Sequence, residues 1–235
     1  MSIQTKYRTE EEEIMDDFTL EGKELQDALD KIASINKMLG GNKLTLQGVE
    51  KLLSLKPKTI ITIVDVGCGN GDMLRTLADF AIKNQLKVNL IGIDANAFTI
   101  NYAQKLSKNY PMISYQNEDV FSKVFSEINY DIVLCTLTLH HFKNEQIEYL
   151  INLFSKQSRI GVVINDLHRS AIAYRLFQLI CYLFGLNEMS RKDGLVSILR
   201  GFKKNELLNF SEKINVSKQN IQWKWAFRYQ WIIFK

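Results

Sequence analysis

From residue 59 onward the chain alternates short apolar runs with amphipathic helical segments, and this rhythm constrains the fold more than any other feature. The runs are "TIITIVDVG" (Thr59 to Gly67), "KVNLIGIDA", "ISYQNEDV", "YDIVLCTLTL" and "RIGVVINDL". Between them, Asp72 to Lys83, Ala97 to Lys108 and Asn144 to Phe154 place apolar residues at helical spacing, as at Met73, Leu77, Phe80 and Ala81. Strands that are apolar on both faces must be covered on both faces. The pattern therefore predicts an α/β fold with a doubly wound, mainly parallel sheet.

Two flanking regions depart from that rhythm. Before it, Leu25, Ala28, Leu29, Ile32, Ile35 and Leu39 recur at helical spacing up to Gly40-Gly41, and Leu44 to Leu55 reads as a second helix closed by Pro57. Residues 1–56 are thus expected to form a helical cover segment and residues 57–235 the main domain. After Arg169, Ala171 to Leu186 reads as a helix apolar nearly all round, with Arg175, Gln178 and Tyr182 as its polar stripe. A polar loop carrying Arg191, Lys192 and Asp193 is expected next, within a helical insertion at about 170–200, followed by a helix from Lys203 to Lys213. In the tail, Trp223, Trp225, Phe227, Tyr229 and Trp231 share one parity, which predicts two strands with a turn between Ala226 and Arg228. The acidic run Glu10 to Glu13 reads as a frayed, solvated end.

The first strand opens into "VDVGCGNGD", Val64 to Asp72. Glycines at 67, 69 and 71 allow a tight turn and close approach of a ligand. A dinucleotide loop would place its third glycine at 72, where this chain has Asp72, and Asp65 and Asp72 would repel a pyrophosphate. A ligand bearing an amino group and a sulfonium suits those acids better. The second strand ends in "GIDA", which sets Asp94 where a carboxylate accepts from two ribose hydroxyls; Asp94 also suits a helix N-cap.

With these motifs in order from Thr59 to Leu167, the chain resembles the class I S-adenosylmethionine-dependent methyltransferases of the small-molecule type. The resemblance implies a Rossmann-like seven-stranded sheet whose last strand is antiparallel, with S-adenosylmethionine as cofactor. It assigns cofactor contacts to Asp65, Gly67, Cys68, Gly69, Asn70 and Gly71 in the loop, and to Asp94 and Ala95 after the second strand. It adds Asp119 and Val120 in "NEDV", Asp119 toward the adenine amino group, and Thr136 on the fourth strand. Asp119 also reads as a solvated loop acid.

Methyl transfer to a phenol or alcohol benefits from a positioned base, because a phenol's pKa lies near 10. All three histidines follow strand ends on the ligand-binding rim: His140 and His141 after the fourth, His168 after the fifth. His168 in "NDLHRS" is the leading candidate, then His141 and His140, with Asp166 placed to orient an imidazole. Packing is the competing role for the doublet. The apolar helix from Ala171 then either roofs a pocket for an apolar or aromatic acceptor or buries itself against other helices or a second subunit.

Other function classes fit less well. A net charge of +4 spread along 235 residues does not point to nucleic acid. Cys68, Cys135 and Cys181 show no metal spacing, which suggests a reduced, cytoplasmic protein with no metal site. No run is long enough for an integral membrane segment, leaving at most peripheral membrane contact. A monomer or homodimer acting on a small molecule is expected. A non-catalytic binding module and a nicotinamide-dependent oxidoreductase are the alternatives, the latter disfavoured by Asp72.

Overall fold

The computed structural model describes residues 3–54, 60–216 and 218–235. Leu55, Pro57 and Thr59, and with them the expected boundary at 56/57, lie outside the described residues. The first strands and helices alternate: β1 (Ile61–Val66), α3 (Asp72–Lys83), β2 (Val88–Asp94), α4 (Ala97–Leu106) and β3 (Ile113–Asn117). They follow α1 (Lys23–Met38) and α2 (Gly41–Leu53). Next come α5 (Lys123–Glu127), β4 (Ile132–Thr136), α6 (Asn144–Gln157) and β5 (Gly161–Leu167). The chain finishes with α7 (Ala171–Leu183), α8 (Glu188–Arg200), α9 (Lys204–Glu212), β6 (Lys218–Lys224) and β7 (Arg228–Phe234).

The strands form one seven-stranded sheet in the order β3-β2-β1-β4-β5-β7-β6. β1 to β5 run parallel, and β7 inserts antiparallel between β5 and β6. Strand parity divides the core in two. Ile61, Ile63, Leu90, Leu134 and Val163 face α2 and α3, whereas Val64, Val66, Val133, Val162 and Trp231 face α6 and α9. The order reverses between β1 and β4, so a crevice opens beyond their carboxyl ends. Above it pack α1 and α8, joined through Leu25, Ala28, Leu29 and Met189.

Two expectations fail here. The segment read as a polar loop around Arg191 to Asp193 is the helix α8. Asn187 caps it by accepting from the Ser190 N–H at 2.8 Å, and Met189, Val196 and Ile198 supply a buried face. Asp193 is buried because its carboxylate accepts from the Ile14 and Met15 N–H groups at 2.7 and 2.9 Å. Nor is Glu10 to Glu13 a solvated end throughout. Glu10, Glu11 and Glu12 are exposed, but Glu13 is buried at the start of a 3₁₀ turn, Ile14–Asp16. Residues 5–16 lie across the domain as a strap. Arg169 donates to the Thr5 and Lys6 carbonyls, and Arg8 donates to the carbonyls of His140, Phe142 and Arg200.

Helix α7 is apolar, as its sequence indicates, but among its residues only Ala173 and Cys181 are buried. Ile172, Leu176, Leu179, Leu183 and Tyr182 remain exposed. No described helix is long and apolar enough to cross a membrane.

Candidate active site

β1 ends against a loop whose three glycines all take left-handed backbone: Gly67 at φ 68°, Gly69 at 52° and Gly71 at 78°. The Gly67 and Cys68 N–H groups donate to the Ile93 carbonyl at 2.9 and 3.0 Å. Gly69 N–H donates to Asp94 Oδ2 at 3.1 Å, and Asn96 N–H donates to Asp94 Oδ1 at 3.0 Å. The loop and the end of β2 are therefore one hydrogen-bonded unit. A Cβ on Gly71 would lie 2.0 Å from Tyr115 Oη, whereas one on Gly69 would meet only Leu29, at 3.7 Å. Gly71 is thus required by packing, and Gly69 borders open space.

That space is a cavity of about 580 Å³ beyond the carboxyl ends of the strands. Asp65, Gly67, Cys68, Gly69, Asn70, Asp94, Ala95, Asp119, Val120 and Thr136 all line it, with Gly71 one step behind. Asn70 is tied to α1 through Asp30 at 2.9 Å, and Asp72 accepts from Asn42 of α2 at 2.8 Å. Thr136 Oγ1 pairs with Thr45 Oγ1 at 3.2 Å. Asp119 is exposed at the rim, with one oxygen accepting from Phe121 N–H at 2.9 Å.

The charges select the ligand. Asp65 is buried, and among the described residues its Oδ1 has no hydrogen-bond partner. Burial, and then the nearby Asp72 and Asp94, hold its carboxyl well above the usual carboxylate range. Burial also raises Asp72 and Asp94, against the hydrogen bonds they accept. Three crowded acids with an unpartnered buried oxygen fit a cationic ligand and repel a pyrophosphate.

The histidines occupy three different settings. Leu137, at φ 54°, reverses the chain after β4 and leads into a 3₁₀ turn, Leu139–His141. His140, 2% exposed, pairs its Nδ1 with Asp166 Oδ1 at 2.7 Å, and its Nε2 lies 3.6 Å from Glu13 Oε1. Burial pulls the imidazole down, but Asp166 and Glu13 more than offset it and leave a pKa of about 9. His140 is accordingly an imidazolium at neutral pH.

His141 stacks on His140 with ring centroids 4.4 Å apart and donates from Nδ1 to Asp16 Oδ1 at 2.6 Å. Its side chain is 27% exposed and lines the cavity, and Nε2 has no partner among the described residues. His168 also lines the cavity, but its Nδ1 accepts the indole N–H of Trp223 at 3.1 Å. Neutral His168 therefore carries its proton on Nε2 and presents a donor. Burial, then Lys203 and Arg169, lowers its pKa and favours that neutral form. Asp166 lies two positions before His168, yet it orients His140.

Several residues here carried no recognisable sequence motif. Glu13 and Asp16 reach the histidines from the strap, and Arg200 bonds Asp16 from 184 positions away. Burial raises the Glu13 carboxyl, but His141 and His140 outweigh it and hold it below the usual range. Ligand atoms of Glu13, His140 and His141 lie within 4.8 Å of one another, a donor set within reach of a cation. The Arg200 guanidinium, 3.5 Å from Glu13 Oε1, already brings positive charge there.

Residues 63–161 match the family model described as a methyltransferase domain. No curated protein matches the chain. The fold is similar to that of the plantazolicin methyltransferase BpumL in complex with S-adenosylhomocysteine, at a TM-score of 0.65 and 16% identity over 88% of this chain and 89% of that one. It is also similar to magnesium protoporphyrin IX methyltransferase (ChlM) from Synechocystis PCC 6803 with bound S-adenosylmethionine, at 0.54 and 13% over 86% and 81%. The DszA carbon methyltransferase gives 0.65 and 14% over 88% of this chain and 57% of that one. Sheet order and glycine loop give this chain the fold of the class I methyltransferases, with a methyltransferase domain matched over residues 63–161. The BpumL and ChlM structures hold S-adenosylhomocysteine and S-adenosylmethionine, respectively.

Proposed function

We propose that the chain methylates a small apolar or aromatic acceptor at an acidic hydroxyl oxygen, with His141 receiving the proton. The observation that carries this reading is the Asp16–His141 pair on the cavity wall, 2.6 Å between Oδ1 and Nδ1, with Nε2 unpartnered. A carboxylate on Nδ1 fixes the tautomer that leaves Nε2 as acceptor, the arrangement a general base needs. Beneath it, the His140 imidazolium between Asp166 and Glu13 favours a developing oxyanion. His168 is a donor in this scheme.

S-adenosylmethionine supplies an activated methyl group on a sulfonium. The protein's task is then to hold the acceptor in line and remove its proton; the leaving sulfur of the bound donor would keep the C–S electron pair. Asp94 retains lone pairs on both oxygens for ribose hydroxyls. With the cofactor bound, Asp65 would face the ammonium group, the loop from Gly67 to Gly71 with Cys68 and Asn70 would let the methionine portion approach, and Ala95, Asp119 and Val120 would border the adenine. Thr136 shapes the floor. Leu176, Leu179 and Leu183 of α7 give the acceptor space an apolar roof, which supports a hydrophobic acceptor. Among the described residues no helix crosses a membrane, and the apolar roof suits peripheral contact at most.

Incubation with S-adenosylmethionine and a series of 4-alkylphenols, followed by mass spectrometry, tests the reading. Methyl ethers are expected. Methylation on a ring carbon would overturn the choice of oxygen, and failure to bind S-adenosylhomocysteine in calorimetry would remove its foundation.

A further inference from the structure

Arg228 is a charged residue that the scheme above leaves unused. It opens β7, is 3% exposed, and lines the cavity. Among the described residues neither Nε nor Nη1 has a hydrogen-bond partner. A guanidinium buried in this way loses its hydration, and among the described residues no hydrogen bond to Nε or Nη1 replaces it. Burial lowers it to about 10, only partly offset by Asp166, so it remains a cation at neutral pH.

Its neighbour across the register is informative. Leu167 pairs with Arg228, and the next residue, His168, donates its backbone N–H to the Phe227 carbonyl at 2.8 Å. Trp223 holds the His168 ring in the tautomer that carries Nε2–H. Arg228 and His168 thus bring two kinds of N–H donor to one end of the cavity. The cofactor loop follows β1, three strand steps from β7 through β4 and β5. At about 4.8 Å per step that is about 14 Å. The loop that would hold the cofactor therefore lies at the other side.

We propose that Arg228, with His168, binds a carboxylate on the methyl acceptor, so that the substrate class is a hydrophobic arene acid. An arginine fork matches a carboxylate with two parallel hydrogen bonds. The hydrocarbon part lies toward Leu176, Leu179, Leu183 and Trp225, which line the same cavity yet stay substantially exposed. This inference rests on the cavity being the acceptor site. Its test reads binding instead of turnover, so a failure of the O-methylation reading shows separately, as probe binding without methyl transfer.

The test is calorimetric titration of the protein saturated with S-adenosylhomocysteine, using 4-hexylbenzoate and 4-hexylbenzamide. Hydrogen bonds to charged groups predict a preference for the benzoate of about tenfold to a hundredfold. Arg228→Met should abolish the preference and Arg228→Lys keep part of it, with S-adenosylhomocysteine affinity unchanged in both. Because two of the Arg228 nitrogens have no partner among the described residues, Arg228→Met should melt no lower than the wild type. Equal affinity for the two probes, binding of neither, or a preference surviving in Arg228→Met overturns the proposal. A marked loss of S-adenosylhomocysteine affinity would assign Arg228 to the cofactor, and a lowered melting temperature would assign it to the fold; either result also overturns it.

Discussion

Asp16 and His141 are 125 positions apart, yet the carboxylate oxygen of one lies 2.6 Å from the imidazole nitrogen of the other. The pairing joins the strap to the end of the fourth strand. Asp16 is itself held by Arg200 and by Glu13 N–H, so the imidazole is oriented by a group that is already fixed. Burial raises the Asp16 carboxyl, but His141 and Arg200 outweigh it and hold it well below the usual carboxylate range.

Replacing the proposed base should separate chemistry from binding. His141→Gln is expected to lower kcat on a 4-alkylphenol by about a hundredfold or more. Asp16→Asn should lower it by about tenfold, and calorimetric affinity for S-adenosylhomocysteine should stay within twofold in both. Unchanged turnover in His141→Gln would dismiss His141 as the base.

His140 gives the fold a pH dependence on the alkaline side. Its pKa is raised from 6.5 to about 9, so its contribution is fully present below about 6.5 and is lost as pH rises through 9. Glu13 and Asp166 have lowered pKa values, so their share is lost on the acid side instead. Urea midpoints should therefore fall between pH 7 and pH 10, and Glu13→Gln should flatten that decline. An equally steep decline in Glu13→Gln would contradict the coupling.

Gly71→Ala addresses the loop. It puts a side chain at φ 78° and a Cβ 2.0 Å from Tyr115 Oη. A loss of about 1–3 kcal/mol is expected from the backbone conformation alone, with cofactor binding weakened in parallel. Thermal melting with and without S-adenosylhomocysteine measures both effects.

Asp94→Asn probes the cofactor contact. The amide keeps one acceptor oxygen for two N–H donors and has little left for ribose. S-adenosylhomocysteine affinity should drop by about tenfold or more, with a smaller change in melting temperature. Retained affinity would remove Asp94 from the proposed contacts.

The sheet was readable because its signals are local. Two-sided apolar runs, the Gly67 to Gly71 turn and the carboxylate ending β2 each sit within a few residues, and the structure gathers them around one cavity. Helix α8 was obscured because Arg191, Lys192 and Asp193 read as a polar loop, while its burial comes from Met189 packing on α1 and Asp193 gripping the strap. The acids of the histidine pair were hidden for the same reason. Glu13 looks solvated in a run of glutamates, and only tertiary contact with His140, Ser197 and Arg200 makes it an interior group. Arg228 sits beside Lys224 in an alternating tail, where one-dimensional pattern does not distinguish an inward guanidinium from an outward one.

The strap also bears on how the protein is handled at the bench. Glu13 and Asp16 precede α1, whereas the glycine loop, Asp94 and the sheet all follow it. A version beginning at Asp17 would keep the cofactor residues and the strands while stripping both histidines of a carboxylate partner. Such a trimmed protein would pass a ligand-binding screen and yet be scored as catalytically dead. Protease nicking ahead of Asp17 would produce the same false negative, so intact mass ought to be checked before any inactive preparation is believed.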